Sequence, residues 1–132
     1  MASIFTKIVN REIPSTIIAE DEAHIAFLDI MPLSKGHTLC VPKREVDKLF
    51  DLSRESYKAL MDFTYTISKA LEKGVTCKRV GMAVLGLEVS HAHIHLVPLQ
   101  AEGDLNFSNK RLTFTPEEIL EIQKNIQNHL EK

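Results

Sequence analysis

The sequence predicts an α+β domain: a sheet of about five strands with one long central helix and a second helix at the C-terminus. Three observations predict it. Five short β-forming runs are separated by Pro, Gly and Asp turn signals. Two longer stretches, after Ser53 and after Thr115, carry apolar residues at helical spacing behind capping residues. One run, Ser90-His91-Ala92-His93-Ile94-His95-Leu96-Val97-Pro98, sets half of the six histidines at alternate positions. A strand turns that period into a single face.

Taken in order, Ile4, Phe5, Ile8 and Val9 are spaced as on a short helix within Ile4–Ile13 that packs one side down, and Pro14 closes the segment. Strands over Thr16–Glu20 and Ala23–Asp29 follow, with Asp21-Glu22 turning between them as a hairpin. His24 reads as an ordinary strand residue beside that turn. Residues Asp29–Gly36 form a loop, and a strand over His37–Val41 resumes until Pro42 ends it. Gly36 has no side chain, so the chain can turn sharply there and approach a ligand closely.

Ser53 is placed as the N-cap of the long helix, Leu52 and Tyr57 as its hydrophobic staple, and Gly74 as its stop. The stripe Tyr57, Leu60, Met61, Thr64, Ile67, Leu71 is a core face. Val80–Leu85 suits a strand buried on both faces, and Gly86-Leu87-Glu88 leads from it into the histidine strand, where Pro98 is expected to end pairing. Gln100–Lys110 reads as a polar loop. Thr115 as N-cap, Pro116 at the first helical position and Glu118 completing a capping box start the last helix, expected over about 115–131 with His129 in its last turn.

A chain of 132 residues, 44% hydrophobic, makes one domain over 1–132 with a real core. A net charge of -2 gives no basic footprint for a nucleic acid polymer. Cys40 and Cys77 stand far apart in no CxxC arrangement, which fits a reducing compartment, and no run approaches the apolar length that spans a bilayer. A soluble, cytoplasmic protein with no membrane partner is expected.

Three imidazoles on one face, set between apolar residues, are costly unless the rings hydrogen-bond, ligate a metal or do proton work. Histidines can hold zinc with one position left open. On a strand, however, the outer two of three alternating residues stand roughly 13 Å apart at the backbone, so no metal is expected on this face. Without metal, a neutral imidazole whose one nitrogen is held as a donor presents the other as a nucleophile toward phosphorus, and neighbouring imidazoles can donate to phosphoryl oxygens.

The run His91-x-His93-x-His95 followed by apolar residues and Pro98 closely resembles the signature of the histidine-triad (HIT) proteins. The resemblance extends to Ile4-Phe5-x-Lys7-Ile8, Glu12-Ile13-Pro14, Phe27-x-Asp29-Ile30 with Pro32, and Gly36-His37-x-Leu39-x-Val41-Pro42-Lys43, roughly residues 4 to 100 in the family's order. It implies a small α+β fold with an antiparallel sheet, a homodimer, and a purine nucleotide substrate cleaved or transferred at its α-phosphate without a cofactor. On matching positions it implies that His93 attacks the phosphorus to form a nucleotidyl-histidine, that His95 bonds the phosphate and helps the leaving group, that His91 orients the nucleophile, and that His37 lies near the phosphate. Asp29 would bind the ribose hydroxyls, and Ile4, Phe5, Ile8, Phe27, Ile30 and Leu39 would sandwich the base. Nucleoside phosphoramidates or related conjugates are the implied substrates; a nucleotide-binding regulatory module with little turnover is the alternative.

The chain departs from the family pattern in places. Val80, Gly81 and Met82 stand where many members carry an Asn, and Leu87-Glu88 where they carry a Gln-Ser or Gln-Thr pair. The zinc-binding cysteines of some members would fall near Ser3 and Thr6.

Overall fold

The structure, a computed structural model, describes residues 2–130. Helix α1 (Ile4–Val9) is capped by Ser3, whose hydroxyl accepts from the Thr6 N–H. It is followed by β1 (Ile17–Glu20), β2 (His24–Leu28) and β3 (Thr38–Pro42), then the long α2 (Arg54–Gly74), β4 (Arg79–Ala83), β5 (Ile94–Leu99) and α3 (Pro116–Gln127). The five strands form one sheet in the order β1-β2-β3-β5-β4, every pair antiparallel. The α+β architecture expected from the sequence is the one observed, with both long helices capped as read: Ser53 accepts from Ser56 N, and Thr115 and Glu118 form the capping box.

Strand alternation sorts the side chains between two layers. Ala26 and Leu28 of β2, Cys40 of β3 and Ile94 and Leu96 of β5 pack against Leu60, Ile67 and Leu71 of α2 and Ile122 and Ile126 of α3. On the opposite face Ile25, Phe27, Leu39 and Val41 pack against Phe5 and Ile8 of α1. Each fully buried aliphatic side chain contributes about 1.5–3 kcal/mol, so the helix-covered face carries most of the stability. The short α1 covers only part of the other face, and the site lies there.

Gly36 turns the chain into β3 at φ +91°, and a Cβ on it would stand 2.8 Å from Val75 Cγ2, so only glycine fits both the conformation and the close approach.

Four expectations are corrected. The histidine strand starts at Ile94, so His91 and His93 precede the sheet; the Ala92 N–H is drawn instead to Val46 O at 2.6 Å, which leads the chain away from the ladder. Pro98 does not end pairing: it opposes Val80, beyond the last β3–β5 pair Thr38–Leu96, so the strand continues on its β4 side alone. The run 80–85 is not doubly buried, because β4 is an edge strand, and Val84 and Leu85 beyond its end are exposed. Helix α3 ends at Gln127, leaving His129 past its last turn, where its Nδ1–H donates to Asn125 O at 2.9 Å; the expected end at residue 131 lies outside the described residues. His24 is more firmly tied than expected: it stacks on Phe63 and its Nδ1 lies 3.0 Å from Asp21 Oδ1.

Candidate active site

The α1 face of the sheet carries a row in which Phe27, Leu39, His95 and Ala83 are successive cross-strand partners. His95 therefore rises from the sheet beside Leu39, and His93, just before β5, stands next to it with ring centroids 4.9 Å apart. Phe5 of α1 sets its ring edge-on to both His93, at 4.9 Å, and His91, at 5.7 Å. The helix thus fixes the histidine loop from above, while its own cap fixes His91 from the side.

Backbone partners assign the proton on each ring. A carbonyl only accepts, so the 2.7 Å contact between His93 Nδ1 and His91 O is an Nδ1–H donation, and His93 Nε2 is left with its lone pair. His91 Nε2–H donates to Pro42 O at 2.8 Å, which makes Nδ1 the acceptor for the Ser3 hydroxyl at 2.7 Å. The Leu33 N–H donates to His37 Nδ1 at 3.0 Å; His37 therefore carries its proton on Nε2 and donates it to His95 Nδ1, also at 3.0 Å. His95 is left with an Nε2–H. The pair His93 and His95 offers one bare nitrogen and one donor side by side.

That pair opens into a cleft of about 550 Å³. Of the residues singled out in the sequence, Ile4, Phe5, Asp29, Ile30, Leu39, His93 and His95 line it. Phe27 and Ile8 do not; they are buried behind Phe5, whose ring packs edge-on to Phe27 at 5.6 Å. His91 and His37 are also buried behind the wall, each touching it through a neighbour. Ile30 is 82% exposed, at the cleft's open rim. Asp29 accepts from Met31 N at 2.9 Å through Oδ1, and its Oδ2 lies 3.6 Å from His37 Nε2.

Gly86, Leu87 and Glu88, where the resemblance places the family's phosphate-donor pair, also line the cleft, whereas sequence reasoning missed Met31, Leu85, Val89, Phe107 and Arg111. Gly86, at φ +73°, carries the lining segment Leu85–Val89 around the opening. Phe107 comes from the stretch read as polar loop; a lone aromatic in such a loop was the available signal, since a large apolar ring seeks a surface to cover. That surface is His95, at 4.7 Å between centroids, with His37 at 6.4 Å.

Burial pushes His37 down to about 4, with the Arg111 charge adding to the effect. Burial pushes His95 down to about 3, helped by the neighbouring His93, His37 and Arg111 and opposed by Asp29. His91 is lowered too, chiefly by burial, against its bond to Pro42 and the pull of Glu45. His37, His91 and His95 are thus neutral at pH 7. Cys40, pushed up to about 12 by burial, is a protonated core thiol and no nucleophile.

Asp29, His37 and His95 bring donor atoms within 4.8 Å of one another, but the two imidazoles spend facing nitrogens on each other, and His37 Nδ1 accepts from Leu33. Where some family members hold zinc with cysteines, Ser3 and Thr6 present neutral hydroxyls already paired with His91 and Glu45, and these residues do not fit a zinc site.

Residues 10–102 match the profile of the HIT domain. An uncharacterized HIT-like protein of Methanocaldococcus jannaschii is 38% identical over 111 residues, covering 76% of this chain and 81% of its own. The adenosine 5'-monophosphoramidase of Schizosaccharomyces pombe is 32% identical over 132 residues, 98% of this chain and 99% of its own. A Hit-like protein from Bartonella henselae has the same fold, with a TM-score of 0.83 at 30% identity over 97% of this chain and 96% of that one. A profile match over well over half of the chain, an adjacent pair of histidines with opposite proton assignments and a shared fold lead to one conclusion: the chain belongs to the histidine-triad (HIT) family.

Proposed function

We propose that the protein hydrolyses nucleoside phosphoramidates or related nucleotide conjugates at the α-phosphate through a covalent nucleotidyl-His93. The observation that carries this reading is the His93 ring itself: its Nδ1–H is held by His91 O at 2.7 Å, and its Nε2 lone pair is left at the wall of an accessible cleft. Attack by Nε2 forms the P–N bond to His93 as the bond to the leaving group breaks, and a departing amine takes its proton from solvent. Water then attacks the same phosphorus, releases Nε2 and yields the nucleoside monophosphate. His95, held neutral with its pKa at about 3, acts by donating Nε2–H to a phosphoryl oxygen, since a ring that does not hold a second proton at pH 7 is a poor general acid.

The apolar walls Ile4, Phe5 and Leu39 suit the faces of a purine, and Asp29 lies where ribose hydroxyls can donate to it. The fission-yeast relative named for AMP phosphoramidase activity supports the reaction class. We also propose a homodimer, because β4 is a sheet edge and the apolar Met82, Val84, Leu85 and Leu87 are exposed along and beyond it. A second reading, a binding module with little turnover, is favoured by Leu87 and Glu88 on the cleft wall in place of neutral donors.

Mass spectrometry after brief incubation with an adenosine phosphoramidate tests the mechanism. One added AMP mass on the peptide containing His93, lost with turnover in His93→Ala, is expected. An adduct elsewhere overturns the mechanism, and binding without turnover or adduct selects the second reading.

A further inference from the structure

The residues that match the HIT profile end at 102, yet the segment after β5 returns to wall the cleft. From it, Phe107 lies against His95 at 4.7 Å, and the Arg111 guanidinium sits over Phe107, 5.6 Å from the ring centroid. Arg111 Nη1 also donates to Met31 O at 2.6 Å, so the cation is held from both sides of the cleft mouth. Among the described residues that bond is the one it makes to protein, out of five guanidinium donors.

The wall's charges are unevenly placed. Among the described residues Asp29 and Glu88 are its carboxylates, and Arg111 is the one lysine or arginine lining it. Successive contacts link the nucleophile to the cation: His93 to His95 is 4.9 Å, His95 to Phe107 is 4.7 Å, and the guanidinium is 5.6 Å from the Phe107 centroid. The Phe107 ring thus touches both His95 and the guanidinium on the wall of one cleft, and an anionic group carried past the α-phosphate can meet the cation there.

Resting on the hydrolase reading, we propose that Phe107 and Arg111 form a leaving-group subsite that selects conjugates whose leaving group carries an anionic group, a carboxylate or a phosphate. The apolar part of the leaving group lies along Phe107 and its anion reaches Arg111, while Asp29 and Glu88 disfavour the reverse placement. The same positive charge helps keep His37 and His95 neutral, so the subsite and the histidine pair are electrostatically consistent.

The test uses two AMP phosphoramidates made from the same amine, one bearing a carboxylate and one the neutral carboxamide. Wild-type protein is expected to favour the carboxylate by about tenfold or more in kcat/KM, the range of a charge-assisted hydrogen bond. Arg111→Gln should abolish that ratio, bringing the carboxylate's kcat/KM down to the carboxamide's in the same variant; Arg111→Lys should retain part of it. No preference in the wild type, or an equal loss on both conjugates in Arg111→Gln, overturns the subsite, the latter because it puts Arg111 on the nucleotide itself. If the wild type turns over neither conjugate, the hydrolase reading fails, and calorimetric binding of the same pair decides the subsite: a carboxylate preference lost in Arg111→Gln supports it, and none overturns it.

Discussion

His37 Nε2 lies 3.0 Å from His95 Nδ1, and this buried contact decides which nitrogen of His95 faces the cleft with a proton. Replacing His37 by Ala strands two polar groups at once, the Leu33 N–H and His95 Nδ1. With the cavity it leaves, His37→Ala is expected to cost about 2–4 kcal/mol in urea unfolding. Turnover should fall as well, because His95 is then free to place its proton on either nitrogen; an unchanged unfolding midpoint would contradict the buried relay.

Acid should weaken the fold well before the carboxylates titrate. In the unfolded chain an imidazole binds its proton near 6.5, whereas folded His37 and His95 refuse it down to about 4 and 3. Above pH 6.5 neither state is protonated and these groups add no pH dependence. Below it the unfolded chain takes up protons that the fold excludes, so stability falls with falling pH, by about 1.4 kcal/mol per pH unit for each such proton. His91 acts in the same direction. Urea melts at intervals from pH 7.5 to 4.5 should show this slope, and His95→Gln should flatten it.

Much of this was legible beforehand, and the reasons differ by element. Helix α2 and the start of α3 were readable because caps and periodicity are local properties, written in Ser53, Thr115 and Glu118. The register of His93 was not, because Ala92 donates to Val46, a partner 46 positions away in the chain, and no local pattern encodes it. The burial of β4 was misjudged because apolar content does not say whether a strand is central or at an edge. In the cleft, His93, His95 and Leu39 followed from the motif, whereas Phe107 and Arg111 depend on where a loop returns after β5.

Ser3 serves two structures with one hydroxyl: it caps α1 by accepting from Thr6 N at 3.0 Å and donates to His91 Nδ1 at 2.7 Å. Ser3→Ala is expected to lose about 1 kcal/mol for the cap alone. Turnover should drop several-fold through the loosened His91, and Ser3→Thr should restore both. Thermal melts beside steady-state rates check this, and a stability loss without a rate loss would separate α1 from the His93 ring.

Gly36→Ala meets both a φ of +91° and Val75 Cγ2 at 2.8 Å. A loss of about 1–3 kcal/mol is expected. Adding Val75→Ala should recover less than the whole, since the shorter neighbour relieves the contact and leaves the backbone strain; recovery to the Val75→Ala value would show that the contact alone matters.

Met82→Lys together with Leu87→Asp places opposite charges on the exposed apolar edge, where Leu87 is 92% exposed. If that edge joins two copies, sedimentation velocity should show a dimer for the wild type and a monomer for the double variant. A wild-type monomer at micromolar concentration would rule the assembly out.

The anchors that set the ring protons are the Leu33 N–H and the carbonyls of His91 and Pro42, all main-chain atoms. Any amino acid at positions 33 or 42 that preserves the backbone path, a proline at 33 excepted, supplies the same anchor. The Nε2 lone pair of His93 is thereby insulated from side-chain drift, and the cleft walls are left at liberty to diversify. A scaffold wired in this way can change what it accepts without rebuilding what it does.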